Sequence, residues 1–198
     1  MEQNVSMKIN ELPSPTWNWL KVNETPIKWS NKIEPCEIAA EGDAVSTETE
    51  QLSDIETGAG READAIFATE NTAKYQILAD NAGQDKTVRL HISGKKDVHT
   101  AGCVEIVAKE NSTLTVVMDS RVASDATKEE DSSAEASLAV RVRMKVESGA
   151  SVRLIQVQMP QEHETLLSDI GGNLIGEGAK VEYIQLFLGK GNLYSGCR

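Results

Sequence analysis

Residues 149–157 read GASVRLIQV, and 29 positions later (178 − 149 = 29) residues 178–186 read GAKVEYIQL. A weaker copy, NSTLTVVM, lies at residues 111–118. In the two strong copies a Gly-Ala pair precedes a run of β-branched and aliphatic residues, which is the pattern of a tight turn followed by a strand. An internal repeat of this length predicts a fold built from recurring units.

The copies of the repeat share one irregularity in the alternation of apolar and polar residues. Val152 and Leu154 lie in one phase, whereas Ile155 and Val157 lie in the other. The second strong copy and the weak copy repeat this change of phase. A shared change of phase predicts that the chain bends at the same point in every repeat and then turns its other set of side chains inward.

Corners that recur favour a mainly β fold, a parallel β-helix (β-solenoid) in which each rung buries its face on the next. A β-sandwich is the alternative, because it also has short strands separated by turn signals. The sandwich does not require the change of phase to recur, so the β-helix is preferred.

Two further stretches alternate as half-buried strands do. In residues 87–92 the apolar set begins with Val88, and Arg89 and His91 face the other way. In residues 138–146 the predicted inward set is Val140, Val142, Met144 and Val146, and the predicted outward set is a basic row of Arg141, Arg143 and Lys145. We interpret the basic row as a solvated face.

The chain is strongly acidic, with 31 Asp and Glu against 20 Lys and Arg and a formal net charge of −11. This balance lacks the clustered basic surface that nucleic acid or an anionic membrane requires. No apolar stretch has the length or flanks of a signal peptide or a membrane span. The three cysteines are too few and too widely spaced for a disulfide framework. A cytoplasmic protein is expected.

Two parts are predicted: an N-terminal extension, residues 1–64, with a short helix and an acidic linker, and a β-helix core, residues 65–198, incomplete at its C-terminal end. The short helix is expected within residues 14–22. The extension contains every tryptophan of the chain, and we expect these side chains to pin it to the core. They are Trp17, Trp19 and Trp29.

Two acidic stretches are poor in large apolar residues. Residues 39–64 are predicted to form a linker or loosely ordered loop, and residues 124–133 a solvated loop.

The usual signatures of catalysis are missing from the sequence, which contains neither a Gly-rich phosphate loop nor a CxxC pair. No catalytic residue is predicted. His91, His99 and His163 are interpreted as ordinary surface or hydrogen-bonded histidines. Cys103 and Cys197 are the candidate thiols for sulfur or iron chemistry, although a lone cysteine is more often a small buried residue. No metal ligand set is predicted.

The repeat, together with NELPSPTWNWLKVNE at residues 10–24, resembles the SufB/SufD family of the SUF iron–sulfur cluster assembly system. A second motif, His163-Glu164-Thr165 followed by residues 178–185, is similar to the β-helix signature of that family, a small turn, a strand and an aromatic residue. The two motifs lie near opposite ends of the chain.

The resemblance implies a right-handed parallel β-helix and a scaffold without its own ATPase site. The implied partners are a SufC-type ATPase and a second SufB/SufD-type subunit, in a homo- or heterodimer. A transient iron–sulfur cluster is implied for the full assembly, and none is expected on this part of it. Family members continue well past Arg198, so a truncated chain is expected, with open strand edges that pair end to end.

Two other functions stay open. A carbohydrate-active β-helix enzyme would need clustered carboxylates on an outward strand face, and the clearest strands carry mostly basic residues there. A non-catalytic structural interaction module is the other alternative. Both the SufB and the SufD branch remain compatible with the resemblance.

Overall fold

The computed structural model describes residues 4–10, 24–43, 52–68, 70, 72–80, 82–122 and 136–198. Within these residues the protein is mainly β, and a 3₁₀ turn at Arg61–Ala63 leads into one short helix, α1, at Asp64–Phe67. None of the described helices is long and apolar enough to cross a membrane. The strands are β1 (Asn4–Ile9), β2 (Thr25–Ser30), β3 (Ile33–Pro35), β4 (Glu37–Gly42), β5 (Ala73–Ala79), β6 (Asp85–Ser93), β7 (His99–Ala108), β8 (Thr113–Arg121), β9 (Ser137–Val146), β10 (Ser151–Gln158), β11 (Thr165–Leu174), β12 (Lys180–Phe187) and β13 (Asn192–Cys197).

Two large sheets contain all of these strands except β1 and β2. The first sheet has the order β12-β10-β8-β6-β4, and the second has the order β13-β11-β9-β7-β3, with β5 also paired to β7. From β6 onward, successive strands alternate between the two sheets, and every neighbour within a sheet is parallel. Among the described strands of the two large sheets, β4 alone runs antiparallel to its neighbour, which is β6. The prediction of a mainly β fold is confirmed, and the sheets are parallel.

The internal repeat coincides with the strand register. Val152 of β10 lies opposite Val181 of β12, and Leu154 lies opposite Tyr183, which is the displacement of 29 positions. The weak copy also lies in register, with Val116 of β8 opposite Leu154. Equivalent side chains therefore stack on one another, and a repeat of sequence becomes a repeat of packing.

The predicted change of phase inside the repeat is wrong. In β10 the alternation of buried residues continues from Leu154 to Gln156 and Gln158, whereas Ile155 and Val157 point outward and are partly exposed. Strand β8 also alternates without interruption. Two glutamines are tolerated in the interior because their amides have hydrogen-bond partners there, so the strand does not need to bend to keep apolar residues inside.

The inward sets predicted for residues 87–92 and 138–146 are confirmed. Val88, Leu90 and Ile92 of the first sheet face Val142 and its neighbours in the second sheet, and all belong to one apolar core between the sheets. The core is filled by aliphatic residues, as the low content of aromatics in the chain requires.

A second core lies on the outer face of the second sheet. There the antiparallel pair β1-β2 and the short helix α1 pack their apolar residues against Ala101, Ala139 and Leu167. Trp29 is 1% exposed in this core, which confirms the anchoring role predicted for it. Trp17, Trp19 and the helix predicted over residues 14–22 lie outside the described residues.

The linker or loosely ordered loop predicted over residues 39–64 is wrong at residues 39–42 and 61–64, whereas residues 52–60 form a loop without helix or strand, although it is packed against the second sheet. Residues 39–42 belong to β4, and Leu52 and Ala59 are buried. A polar segment can be buried when its backbone N–H groups have hydrogen-bond acceptors. The N–H of Ala59 donates to the buried carboxylate of Asp169. The loop predicted over residues 124–133 lies outside the described residues. The predicted boundary at residue 64, between an N-terminal extension and a core, stays a prediction.

Adjacent residues in β10 provide a test of the alternation. Leu154→Ala is expected to lower the free energy of unfolding by about 2–5 kcal/mol, because Leu154 is fully buried and its loss leaves a cavity. Ile155→Ala is expected to cost less than about 1.5 kcal/mol, because Ile155 is partly exposed on the other face. Urea unfolding of both variants measures the difference. Equal losses would mean that both side chains face the core.

Candidate functional site

The second sheet carries a buried ion pair on its outer face. Arg141 of β9 and Asp169 of β11 are opposite each other in the parallel register, and the Nε of Arg141 donates to the carboxylate of Asp169 at 2.7 Å. Both residues are buried. The guanidinium also contacts Asp64 at 2.8 Å and lies over the ring of Phe67, 4.1 Å from its centroid. The prediction that Arg141 belongs to a solvated basic row is therefore wrong, because residues 56–67 cover it.

Asp169 fixes that covering segment to the sheet. Its carboxylate accepts hydrogen bonds from the Thr57 hydroxyl at 2.7 Å and from the Ala59 backbone N–H at 2.8 Å. Close approach is possible because Gly171 has no side chain: a Cβ there would lie 2.2 Å from the Glu56 carbonyl oxygen. Sequence reasoning missed this site, and the signal that was available is an Asp two positions before the Gly171-Gly172 pair.

A cleft of about 340 Å³ opens beside this ion pair, between residues 53–64 and the second sheet. Arg143 lies in its wall and donates from Nε to the Ile55 carbonyl at 3.2 Å. Arg198 is paired with Glu56 at 2.7 Å, and Arg61 is 3.9 Å from the same carboxylate. The cleft therefore brings together three guanidinium groups and the carboxylates of residues 54, 56 and 64, so it offers polar contacts of both signs to a small molecule.

A cluster of neutral polar side chains lies between the two sheets near β12 and β13. The side-chain oxygen of Gln156 accepts hydrogen bonds from Ser168 and Tyr183, both at 2.9 Å. Gln185, opposite Gln156 in the register, donates to Gln158 at 2.6 Å and to Ser195 at 3.1 Å. Burial raises the pKa of Tyr183, so its hydroxyl stays protonated and can donate. These groups satisfy one another and supply no charged acid or base.

The structure does not bring the two candidate thiols together. Cys103 of β7 lies in the same row as Arg141, Asp169 and Gly196, on the outer face of the second sheet. Cys197 follows Gly196, so it points to the opposite face, and β13 is three strands from β7, about 14 Å away. Burial raises the pKa of both thiols, and the nearby Arg141 and Arg143 oppose this shift at Cys103. Neither thiol has the lowered pKa of a reactive cysteine.

The third thiol, Cys36, is buried beside β7, and its sulfur lies 2.4 Å from the position that a Cβ on Gly102 would take. Burial raises its pKa to about 12, and the neighbouring Cys103 adds to this shift. All three cysteines are free.

His91 and His99 have ordinary side-chain partners. His91 lies on the outer face of the first sheet between two carboxylates, with Nδ1 2.5 Å from Asp119 and Nε2 3.8 Å from Glu41. His99 contacts the Ser137 hydroxyl and the ring of Trp29. His163 has a φ of 68° in the turn before β11.

No group of three or more His, Cys, Asp and Glu side chains within the described residues is placed to hold a metal ion. Comparison with known proteins adds nothing to this geometry: the chain matches no protein family, no curated protein and no solved structure.

The carboxylates of Asp169 and Asp64 both contact the guanidinium of Arg141. They provide a matched test of whether the buried Arg141–Asp169 pair stabilises the fold. Asp169→Asn leaves a buried cation without its charge partner and is expected to lower the free energy of unfolding by about 3–5 kcal/mol. Asp64→Asn is expected to cost about 1 kcal/mol or less, because the Asp64 side chain is 57% exposed. Thermal or urea unfolding compares them. Equal losses in the two variants would contradict a stabilising role for the buried Arg141–Asp169 pair.

The thiol of Cys36 should make stability depend on alkaline pH. The folded state keeps the proton up to about pH 12, whereas an ordinary thiol loses it above 9.0, so stability is fully present below pH 9.0 and is lost as the pH rises toward 12. One thiol contributes a slope of about 1.4 kcal/mol per pH unit in that window. Urea unfolding below and above pH 9.0 should show a shallower decline in Cys36→Ala than in the wild type, and a smaller change in Cys197→Ala, whose thiol is exposed. An unchanged decline in Cys36→Ala would contradict the assignment.

Proposed function

We propose that the chain forms a right-handed parallel β-helix and serves as the N-terminal part of a SufB/SufD-like scaffold in iron–sulfur cluster assembly. The observation that carries the proposal is the repeat in parallel register, in which successive strands alternate between two sheets and equivalent side chains stack. A β-helix has this arrangement because each rung rests on the one before it.

The assignment to the SUF system is supported by the resemblance of residues 10–24 and 178–185 to that family. The second of these motifs includes Gly178, which has a φ of 77° in the turn before β12, and Tyr183, which packs against the inner core. A small residue at the turn and an aromatic residue in the strand are the features of the family signature.

The proposed partners follow from the same resemblance. The sequence has no phosphate loop, so ATP hydrolysis would belong to a SufC-type ATPase. A second SufB/SufD-type subunit would complete the scaffold, in the cytoplasm. The nascent cluster is cargo in this scheme, and neither Cys103 nor Cys197 is assigned to hold it, because the two thiols are far apart and have raised pKa values.

A second candidate function, a carbohydrate-active enzyme, is favoured by one observation. Glu41 and Asp119 lie on either side of His91 on an outward strand face, which places two carboxylates where the strand pattern of the sequence suggested mostly basic residues. Glycoside hydrolysis uses a pair of carboxyl groups. Release of reducing sugar from polysaccharides, abolished by Asp119→Asn, would support this alternative.

The scaffold proposal is tested by co-purification with a SufC-type ATPase. Two tagged proteins are compared: residues 1–198, and the same residues followed by whatever sequence the natural chain carries beyond Arg198. The expected result is that the ATPase is retained by the longer protein alone, because the family places the ATPase surface in its C-terminal part.

The control is a Walker-type ATPase of similar size and charge from another system, which neither protein should retain. If neither protein retains the SufC-type ATPase, the assembly function is abandoned, and the fold proposal stands or falls separately on the register of the strands.

A further inference from the structure

The layer on the outer face of the second sheet is attached differently from the strands beneath it. It consists of β1, β2 and residues 56–67, and we call it the cover. Within the described residues, β1 and β2 pair only with each other, whereas each strand from β6 to β11 is hydrogen-bonded to a parallel neighbour in its sheet. The two strands of the cover therefore do not share in the backbone ladders that hold the large sheets together.

A small group of hydrogen bonds fastens the cover to the second sheet. The Asp169 carboxylate accepts from the Thr57 hydroxyl and the Ala59 N–H, and the Gly58 N–H donates to the Ile170 carbonyl at 3.0 Å. The three donors belong to consecutive residues, so these bonds hold the cover at one place.

Two ion pairs add to this attachment. Asp64 of the cover pairs with Arg141, and Glu56 of the cover pairs with Arg198. Both carboxylate side chains are more than half exposed, and ion pairs with exposed groups stabilise a structure only weakly. The buried bonds to Asp169 are therefore the main polar attachment of the cover.

The apolar residues of the cover form a core of their own. Trp29, Ile66 and Phe67 belong to a cluster with Ala139 and Leu167 of the second sheet, and the aliphatic core between the two sheets is a separate cluster. The two clusters share no residue within the described part of the chain. Loss of the cover would leave the inner core intact, and such a unit can open at a lower free energy than global unfolding requires.

A thiol and a guanidinium lie beneath the cover. Cys103 and Arg141 are opposite each other in the register of β7 and β9, on the outer face of the second sheet, and both are buried. Phe67 lies over the guanidinium of Arg141, and Cys103 belongs to the same apolar cluster as Phe67. Both side chains would reach solvent if the cover moved away.

We propose that the cover opens as a unit while the two large sheets stay folded, and that it thereby controls access to Cys103 and Arg141. The closed state keeps this face buried, and the open state presents a thiol beside a guanidinium. The device is independent of the proposed assembly function, because it follows from the way in which the cover is attached.

The rate at which Cys103 is alkylated measures the opening, because a thiol beneath the cover reacts only when it is uncovered. The full chain is treated with iodoacetamide in the absence of denaturant, and mass spectrometry of its peptides gives a rate for each cysteine. The rate in urea-unfolded protein divided by the native rate is the protection of that thiol. Cys197 is exposed and checks the activity of the reagent.

Three variants separate opening of the cover from global unfolding. Leu154→Ala weakens the inner core in the open and closed states alike, so the protection of Cys103 should change by less than about twofold. Gly171→Ala should lower it about tenfold, because its Cβ would lie 2.2 Å from the Glu56 carbonyl oxygen and push the cover away. Gly172→Ala is the matched control, with less than about a twofold effect, since its Cβ would meet its nearest atom at 3.6 Å.

The proposal is overturned if Leu154→Ala lowers the protection of Cys103 by the same factor by which it lowers the folding equilibrium constant in urea, because global unfolding alone would then expose the thiol. Equal effects of Gly171→Ala and Gly172→Ala would also overturn it. Circular dichroism checks that each variant is folded. If Gly171→Ala is not, Thr57→Val replaces it and should lower the protection about tenfold through loss of the hydrogen bond to Asp169.

Discussion

Parallel register is the constraint on which the rest of the structure depends. Each strand from β8 onward lies on the strand two places before it, so an inward residue always rests on the equivalent residue of an earlier strand. Because side chains alternate strictly between the two faces of a strand, a shift by one residue would exchange the core with the solvent face over the whole sheet. The stack of Val116, Leu154 and Tyr183 shows how one buried column sets the register of three strands.

The same constraint explains why charged and polar groups inside the protein occur in rows. Arg141 and Asp169 are opposite each other because β9 and β11 are in register, and the Gln156 and Gln185 positions coincide for the same reason. Asp169 neutralises Arg141 within one row, whereas Gln156 accepts hydrogen bonds from Ser168 and Tyr183, which lie outside its row. The buried ion pair then has a second role, because Asp169 also holds Thr57 and Ala59 and thereby covers one face of the second sheet.

The repeat and the inward residues of β6 and β9 could be predicted from sequence because they depend on alternation and spacing alone. The error at Ile155 arose because an apolar residue was assumed to face inward and a glutamine outward, a rule that fails when the buried amide has partners in a distant strand. Arg141 was misplaced for a related reason. Its burial depends on residues 56–67, which are far away in sequence and read as a polar linker. The cleft likewise could not be predicted, because it depends on which residues cover the second sheet.

Among the described residues, the two sheets differ in what covers their outer faces. On the second sheet an outer layer is already built from β1, β2 and α1, and the polar groups beneath it are engaged in holding that layer. On the first sheet the outer face keeps isoleucine at two successive repeats, at a position where a solvated strand would carry polar residues. Apolar residues there contribute little to the stability of the monomer, because they remain partly exposed. The second sheet thus owes its buried outer face to residues that are distant in sequence, whereas β8, β10 and β12 keep partly exposed apolar rows that no described element covers in this way.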